Sequence, residues 1–176
     1  MENSKKEHWE TVFITKAENE VSWYQKQPQI SIQLVQACKV AKDAKIIDIG
    51  GGDSYLIDNL LDLGYTNLFL LDISVAAIER AKKRLGDKAK QVTFIVSDSL
   101  HFQSDEKFDI WHDRASFHFF IEANDIEQYK MNVIANTNQN AHFIIGTFSE
   151  EGPLKCSGLE ITQYSVEKME AVFGVF

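Results

Sequence analysis

From residue 45 to residue 148 the sequence alternates short apolar runs with stretches of helical periodicity, and this alternation narrows the fold more than any other feature. The first run, Lys45-Ile46-Ile47-Asp48-Ile49-Gly50, ends in glycine. Residues 67–72 form a second, closed by Asp72, and residues 92–96, 108–111 and 141–148 form three more. Runs this short and this apolar make strands buried on both faces. Helical spacing marks residues 54–63, 74–85 and 126–135 between them, and residues 166–173 after them. Gly64 and Gly86 stop the first two helices, and Ser74 is placed to cap the second. Strands alternating with helices predict a parallel sheet covered on both faces and joined by right-handed crossovers.

Ahead of this pattern, residues 5–15 read as a helix with Trp9, Val12 and Phe13 at helical spacing. Residues 21–27 form a loop carrying Trp23 and Tyr24, and residues 29–42 a second helix. The chain thus divides into a helical segment, residues 1–43, able to serve as a lid, and a sheet domain, residues 44–176. Its length of 176 residues suits one core-bearing unit, and 44% hydrophobic residues suffice to bury a core. The net charge of −8 argues against non-specific binding to nucleic acid or to an anionic membrane. Cys38 and Cys156 lie far apart, so neither a disulfide framework nor a zinc site is expected, and a reducing, cytoplasmic location is the simplest expectation. The first nine residues are charged and polar, unlike a signal peptide, and no apolar run approaches the roughly 20 residues that span a bilayer.

In such a sheet, ligands bind beyond the carboxyl ends of the strands. The informative residues are therefore 48–54, 72–73, 97–99, 112–114 and 147–158. Asp48-Ile49-Gly50-Gly51-Gly52-Asp53-Ser54 combines glycines, which permit a sharp turn and close approach of a ligand, with a following helix whose first N–H groups are free. A dinucleotide fingerprint would place glycine at position 55, where Tyr55 stands. Its ring is expected to obstruct a diphosphate site, which favours a nucleoside cofactor without a diphosphate and disfavours a nicotinamide-dependent oxidoreductase. Asp72 stands where an acid accepts hydrogen bonds from ribose hydroxyls, and Asp98, closing the third strand, can accept from an adenine amino group. The plain alternatives are a carboxylate capping the next helix for Asp72 and an Asx turn for Asp98.

Asp48-Ile49-Gly50-Gly51-Gly52-Asp53-Ser54, Leu71-Asp72-Ile73-Ser74 and Val96-Ser97-Asp98-Ser99 together resemble motif I, the acidic end of the second strand and the adenine motif of class I S-adenosylmethionine-dependent methyltransferases. The resemblance runs from about residue 44 to about residue 150. Residues 108–119 and 147–159, with His8-Trp9-Glu10 and Val21-Ser22-Trp23-Tyr24, resemble a bacterial branch of that family, whose broader relatives include protein lysine methyltransferases. The resemblance implies an α/β, three-layer αβα Rossmann-like fold with a mostly parallel sheet. It also implies S-adenosylmethionine as cofactor and methyl transfer to an unidentified acceptor, a protein lysine or a small molecule. A module that binds the cofactor without catalysis is the alternative. By the same resemblance Asp48 and Gly50, Gly51 and Gly52 hold the methionyl part, with Asp53 counted among the cofactor residues. Asp72 holds the ribose, Ile73 packs on the adenine face, and Asp98 with Ser99 holds the adenine. Ser54 departs mildly from the glycine of the motif. The family fold also has two further strands after the last helix, and the sequence reaches Phe176 just after that helix, so those strands are expected to be missing. An open edge strand would then allow a homodimer as well as a monomer.

His112 and Asp113, which by the same resemblance lie at the end of the fourth strand closest to the transferred methyl group, are the candidate bases; Asp113 and Arg114 could equally form an ion pair that shapes the pocket. His118 reads as a packed histidine, His142 as structural and Cys156 as a buried loop thiol. Trp23, Tyr24 and Arg114 are assigned to a substrate-side lid, with a plain hydrophobic clamp left open for the two aromatic residues, while Phe13 reads as clamp. The basic run Arg80, Lys82, Lys83, Arg84, Lys88 and Lys90 reads as a solvated helix face.

Overall fold

The computed structural model describes residues 2–174. Five parallel strands form the main sheet: β1 (Ile46–Ile49), β2 (Leu68–Asp72), β3 (Val92–Val96), β4 (Phe108–Arg114) and β5 (Thr137–Gly146), in the spatial order β3-β2-β1-β4-β5. The order reverses at β1, between β2 and β4, and the crevice beyond the carboxyl end of β1 is the place where such sheets take ligands. The helices are α1 (Glu2–Thr15), α2 (Gln29–Ala37), α3 (Leu56–Asp62), α4 (Val75–Leu85), α5 (Ala123–Asn136) and α6 (Val166–Phe173). No helix among the described residues is long and apolar enough to cross a membrane.

The strands alternate their side chains between two cores. Ile46, Leu68, Leu70 and Ile110 face a core closed by Ile32 and Val35 of α2, Leu56, Ile57 and Leu60 of α3, and Ile78 and Ala81 of α4. Ile47, Ile49, Phe69, Leu71 and Trp111 face the other, closed by Tyr129 and Val133 of α5 and Phe173 of α6. Ile46, Ile47 and Ile49 are fully buried, and burial of each such side chain contributes about 1.5–3 kcal/mol. The same two-residue period sends Asp48 and His112, paired in register, to the first face, and Asp113 to the second.

Several boundaries differ from the sequence expectation. The helix expected over residues 29–42 stops at Ala37, because Lys39 adopts a left-handed φ of 54°. The fourth strand runs three residues beyond 111, since Asp113 and Arg114 continue the ladder with β5. His112 to Arg114 therefore belong to the strand and do not follow it. A short 3₁₀ turn, Phe117–Phe119, and a two-stranded hairpin, β6 (Lys155–Cys156) with β7 (Leu159–Glu160), carry no periodicity long enough to announce them.

One carboxylate of helix α1 ties it to the start of α4. Glu10 accepts from Ser74 Oγ at 2.7 Å and from the Ala76 N–H at 3.1 Å. Ser74 also caps α4, accepting from the Ala77 N–H at 3.2 Å. The N-terminus of α4 thus presents donors and a partial positive charge to an acid from another helix. Glu10→Ala is expected to cost about 1 kcal/mol and to speed amide exchange in α1 while leaving β1 protected. Equal exchange in both variants would show that α1 is held by its aromatic side chains alone.

Candidate functional site

β1 ends in a tight turn where Gly51 N–H bonds to Leu71 O and Ser54 N–H to Gly51 O. A side chain at Gly51 would fall 2.7 Å from Asp48 Oδ2, and one at Gly52, whose φ is 50°, would fall 2.8 Å from the ring of Phe13. Both positions require glycine, the first for lack of room and the second also for its left-handed backbone. The far side of the turn is braced by α4. Arg84 donates to the carbonyls of Asp53 and Ser54 at 2.7 Å each, pairs with Asp58 at 2.9 Å, and lies over the Tyr55 ring at 4.2 Å. Arg80 pairs with Asp53 at 3.2 Å. Two members of the basic run are therefore anchors of the glycine turn and not a solvated face. Tyr55 sits outside the turn, donating to Glu18 at 2.8 Å and packing edge-on against Tyr24. The steric obstruction expected from its ring is not there.

Beyond the turn lies one open cavity, with about 800 Å³ of empty space counting its mouth. Gly50, Gly51, Gly52, Asp72, Ile73, Asp98 and Ser99 line it, and so do Trp9, Phe13, Trp23, Ser116, Phe119 and Cys156. Asp72, the last residue of β2, and Asp98, two residues past β3, thus line the same space beside the glycine turn. Asp72 is buried, and its Oδ1 accepts from the Ser74 N–H at 2.8 Å. Desolvation pushes its pKa up to about 7, against the pull of the Ser74 and Gly52 N–H groups, and Asp53 and Asp48 push the same way. Asp98 Oδ1 accepts from the Leu100 N–H at 2.9 Å, so it makes the Asx turn and faces the cavity as well.

Other predicted residues lie elsewhere. Asp53 is buried against Arg80 and does not line the cavity, and burial raises its pKa despite that partner. His112 and Asp113, the candidate bases, are buried within β4 and do not line it either. Asp113 faces α5: Oδ2 accepts from Tyr129 Oη at 2.6 Å, and Oδ1 accepts from the N–H groups of Ser116 and Phe117. Trp111 Nε1 donates to the same Tyr129 oxygen at 3.0 Å. Burial raises Asp113 to about 6 even with these donors, and holds Tyr129 well above its ordinary range. Asp113 therefore anchors the 3₁₀ turn that carries Phe119. Arg114 turns instead to the Trp23 carbonyl, at 3.2 Å.

Aromatic rings wall part of the cavity. Trp9 packs edge-on against Trp23 at 5.8 Å and against Phe119 at 5.0 Å between ring centroids. Phe119 gave no periodic signal, and Ser116 lies just past a strand that runs longer than its apolar core. Tyr24 belongs to the outer group with Tyr55, and Asp48 lies behind Gly51. His118 is fully buried against the rings of Phe119 and Phe148, and burial lowers its pKa to about 4. His142 is exposed on β5.

A family model described as "Methyltransferase domain" matches residues 41–175. The eEF1A lysine and N-terminal methyltransferase of Mus musculus is 27% identical over 97 residues, which are 55% of this chain and 14% of that protein. The solved structure titled "Conversion of a Disulfide Bond into a Thioacetal Group during Echinomycin Biosynthesis" superposes with a TM-score of 0.77 at 20% identity, covering 96% of this chain and 77% of that one. The S-adenosylmethionine-dependent methyltransferase structure from Clostridium acetobutylicum gives 0.63 at 19% identity, covering 84% and 58%. At these identities the structural likeness shows a shared fold.

Two outcomes test this geometry. Asp113→Ala strands the Tyr129 hydroxyl and two N–H groups, and is expected to cost about 3 kcal/mol and to lower the unfolding midpoint by roughly 10 °C. Asp72 titrates near 7 when folded and near 3.8 when unfolded. Its contribution to stability is thus fully present below pH 3.8 and is lost as pH rises through 7. Asp72→Asn should therefore gain midpoint relative to wild type between pH 5 and pH 8, by several degrees in thermal melts. A difference independent of pH would remove the buried carboxyl as the cause.

Proposed function

The chain belongs to the methyltransferase-domain family, and on that premise we propose that its cavity binds S-adenosylmethionine and that the protein transfers the methyl group to an acceptor. The observation that carries this reading is the convergence of Asp72 and Asp98 on one cavity beside the glycine turn. The residues present fit the cofactor. Asp72 offers a buried carboxylate to paired ribose hydroxyls, whose donation would draw its raised pKa down. Asp98 and Ser99, with Ile73 beside them, take the adenine. Asp48 Oδ2 is buried and makes no hydrogen bond among the described residues, which suits the methionyl ammonium. Trp9, Trp23 and Phe119 bring aromatic faces favourable to a sulfonium charge.

When bound, the cofactor would supply an electrophilic methyl group on a sulfonium. The chain's own part is alignment and exclusion of water, which can account for most of the catalysis in such a displacement. Among the described residues, the ionisable groups lining the cavity are Lys5, Asp72, Asp98 and Cys156. The two acids belong to the adenosine side, and Cys156 is a thiol raised further by burial. With His112 and Asp113 turned away, the reading contains no dedicated base. An acceptor would enter with its lone pair already free, as a neutral amine or a thiolate does. The name of the mouse relative is the ground for keeping a protein amine among the candidates beside small molecules.

Calorimetric titration of the wild-type chain with S-adenosylmethionine is expected to show one site, and Asp72→Ala to weaken it roughly 100-fold, the scale set by two hydrogen bonds to a charged acceptor. Wild-type affinity in Asp72→Ala would defeat the assignment. Labelled-methyl transfer into proteome and metabolite extracts then separates a transferase from a module that only binds.

A further inference from the structure

β1 and β4 are paired with Asp48 opposite His112, so both side chains rise from the same face of the sheet. His112 Nδ1 lies 2.7 Å from Asp48 Oδ1, and Nε2 lies 2.9 Å from Ser31 Oγ on α2. All three residues are buried, none more than 4% exposed. With Asp48 as a carboxylate and His112 neutral, Nδ1 carries the proton and donates to Oδ1, while Nε2 accepts from the Ser31 hydroxyl. The order serine, histidine, acid has the form of an acyl-transfer triad. Neither Ser31 nor His112 lines the cavity, so no substrate carbonyl reaches the hydroxyl. What the array does is hold one oxygen of Asp48. The other, Oδ2, is buried, unpartnered among the described residues, and pressed against Gly51, whose backbone does line the cavity. A buried carboxylate oxygen left without a donor is costly, and a cation entering beside Gly51 is the kind of group that relieves it.

We propose that His112, backed by Ser31, is a positioning residue that fixes the Asp48 carboxylate so that Oδ2 receives the methionyl ammonium of the cofactor. The inference rests on the cofactor reading above and assigns the array to the amino-acid end of the ligand alone. The hydrogen bond from Nδ1 fixes the plane of the carboxylate, so that one oxygen faces His112 and the other faces Gly51. Ser31 ties the same array to α2, so the helix preceding the sheet takes part in setting the site.

The test compares two ligands. S-adenosylmethionine carries the ammonium; 5′-methylthioadenosine has the same adenosine, with a neutral thioether in place of the sulfonium, and no amino-acid end. His112→Phe is expected to weaken the first roughly 10- to 100-fold, the range for a hydrogen bond to a charged group, and to leave the second within about twofold. His112→Asn, whose amide can donate to Oδ1, should restore most of the loss. Ser31→Ala should show a smaller loss with the same selectivity, and it carries the comparison if His112→Phe does not fold. Equal loss for both ligands, or unchanged affinity for S-adenosylmethionine, overturns the positioning role while the cofactor reading survives. A wild-type chain that binds neither ligand overturns the cofactor reading itself, and this inference with it.

Discussion

Strand β1 is hydrogen-bonded on both sides, by β2 and by β4, and every one of its residues is buried. A strand in that position cannot shift register without sending its apolar side chains to the wrong core. Its end is therefore fixed in space, and the glycine turn, the reversal of strand order and the cavity are fixed with it. Asp48 is the exception in an otherwise apolar strand. Its carboxylate stays there because β4 brings a histidine to the same face at the same level.

Besides Asp53, which Arg80 pairs, three carboxylates are buried around this point, and each is satisfied differently. Asp48 is held by an imidazole on one oxygen and has the other unpartnered among the described residues. Asp72 faces the cavity with backbone donors on its inner side, and desolvation keeps its proton affinity high. Asp113 is enclosed by Tyr129 and two N–H groups and serves the turn beyond β4. The first two have acceptor capacity or proton affinity for an incoming donor; the third is spent on structure. In sequence the three look alike, each lying at or near the end of a strand of one sheet, and only their neighbours in space separate them.

The amino-terminal segment belongs to the same construction. Phe13 lies on Gly52, Trp9 joins Trp23 and Phe119 in the wall, and Glu10 caps α4 from outside. Arg114 holds the Trp23 carbonyl, and Cys156 of the β6–β7 hairpin closes the same side. The cavity is thus lined by the strand ends of the parallel sheet together with α1, the loop carrying Trp23, the turn after β4 and the β6–β7 hairpin.

The parallel sheet, its glycine turn and the acids at its strand ends were legible from the chain because each has a local cause. Apolar runs have one stable place, glycine has conformations no other residue shares, and a strand's last residue lies where its length puts it. The roles of His112, Asp113, Asp53 and Arg84 were not legible. Whether a strand ends at residue 111 or 114 decides which way a histidine and an aspartate point, and the ladder with β5 settles that, not the residues themselves. Whether a basic side chain is solvated or braces a turn depends on a helix packing against a loop more than twenty residues away. Sequence set the scaffold through local propensity and period; tertiary packing chose which polar groups face the cavity, because burial and partner are properties of neighbours that only the folded chain brings together.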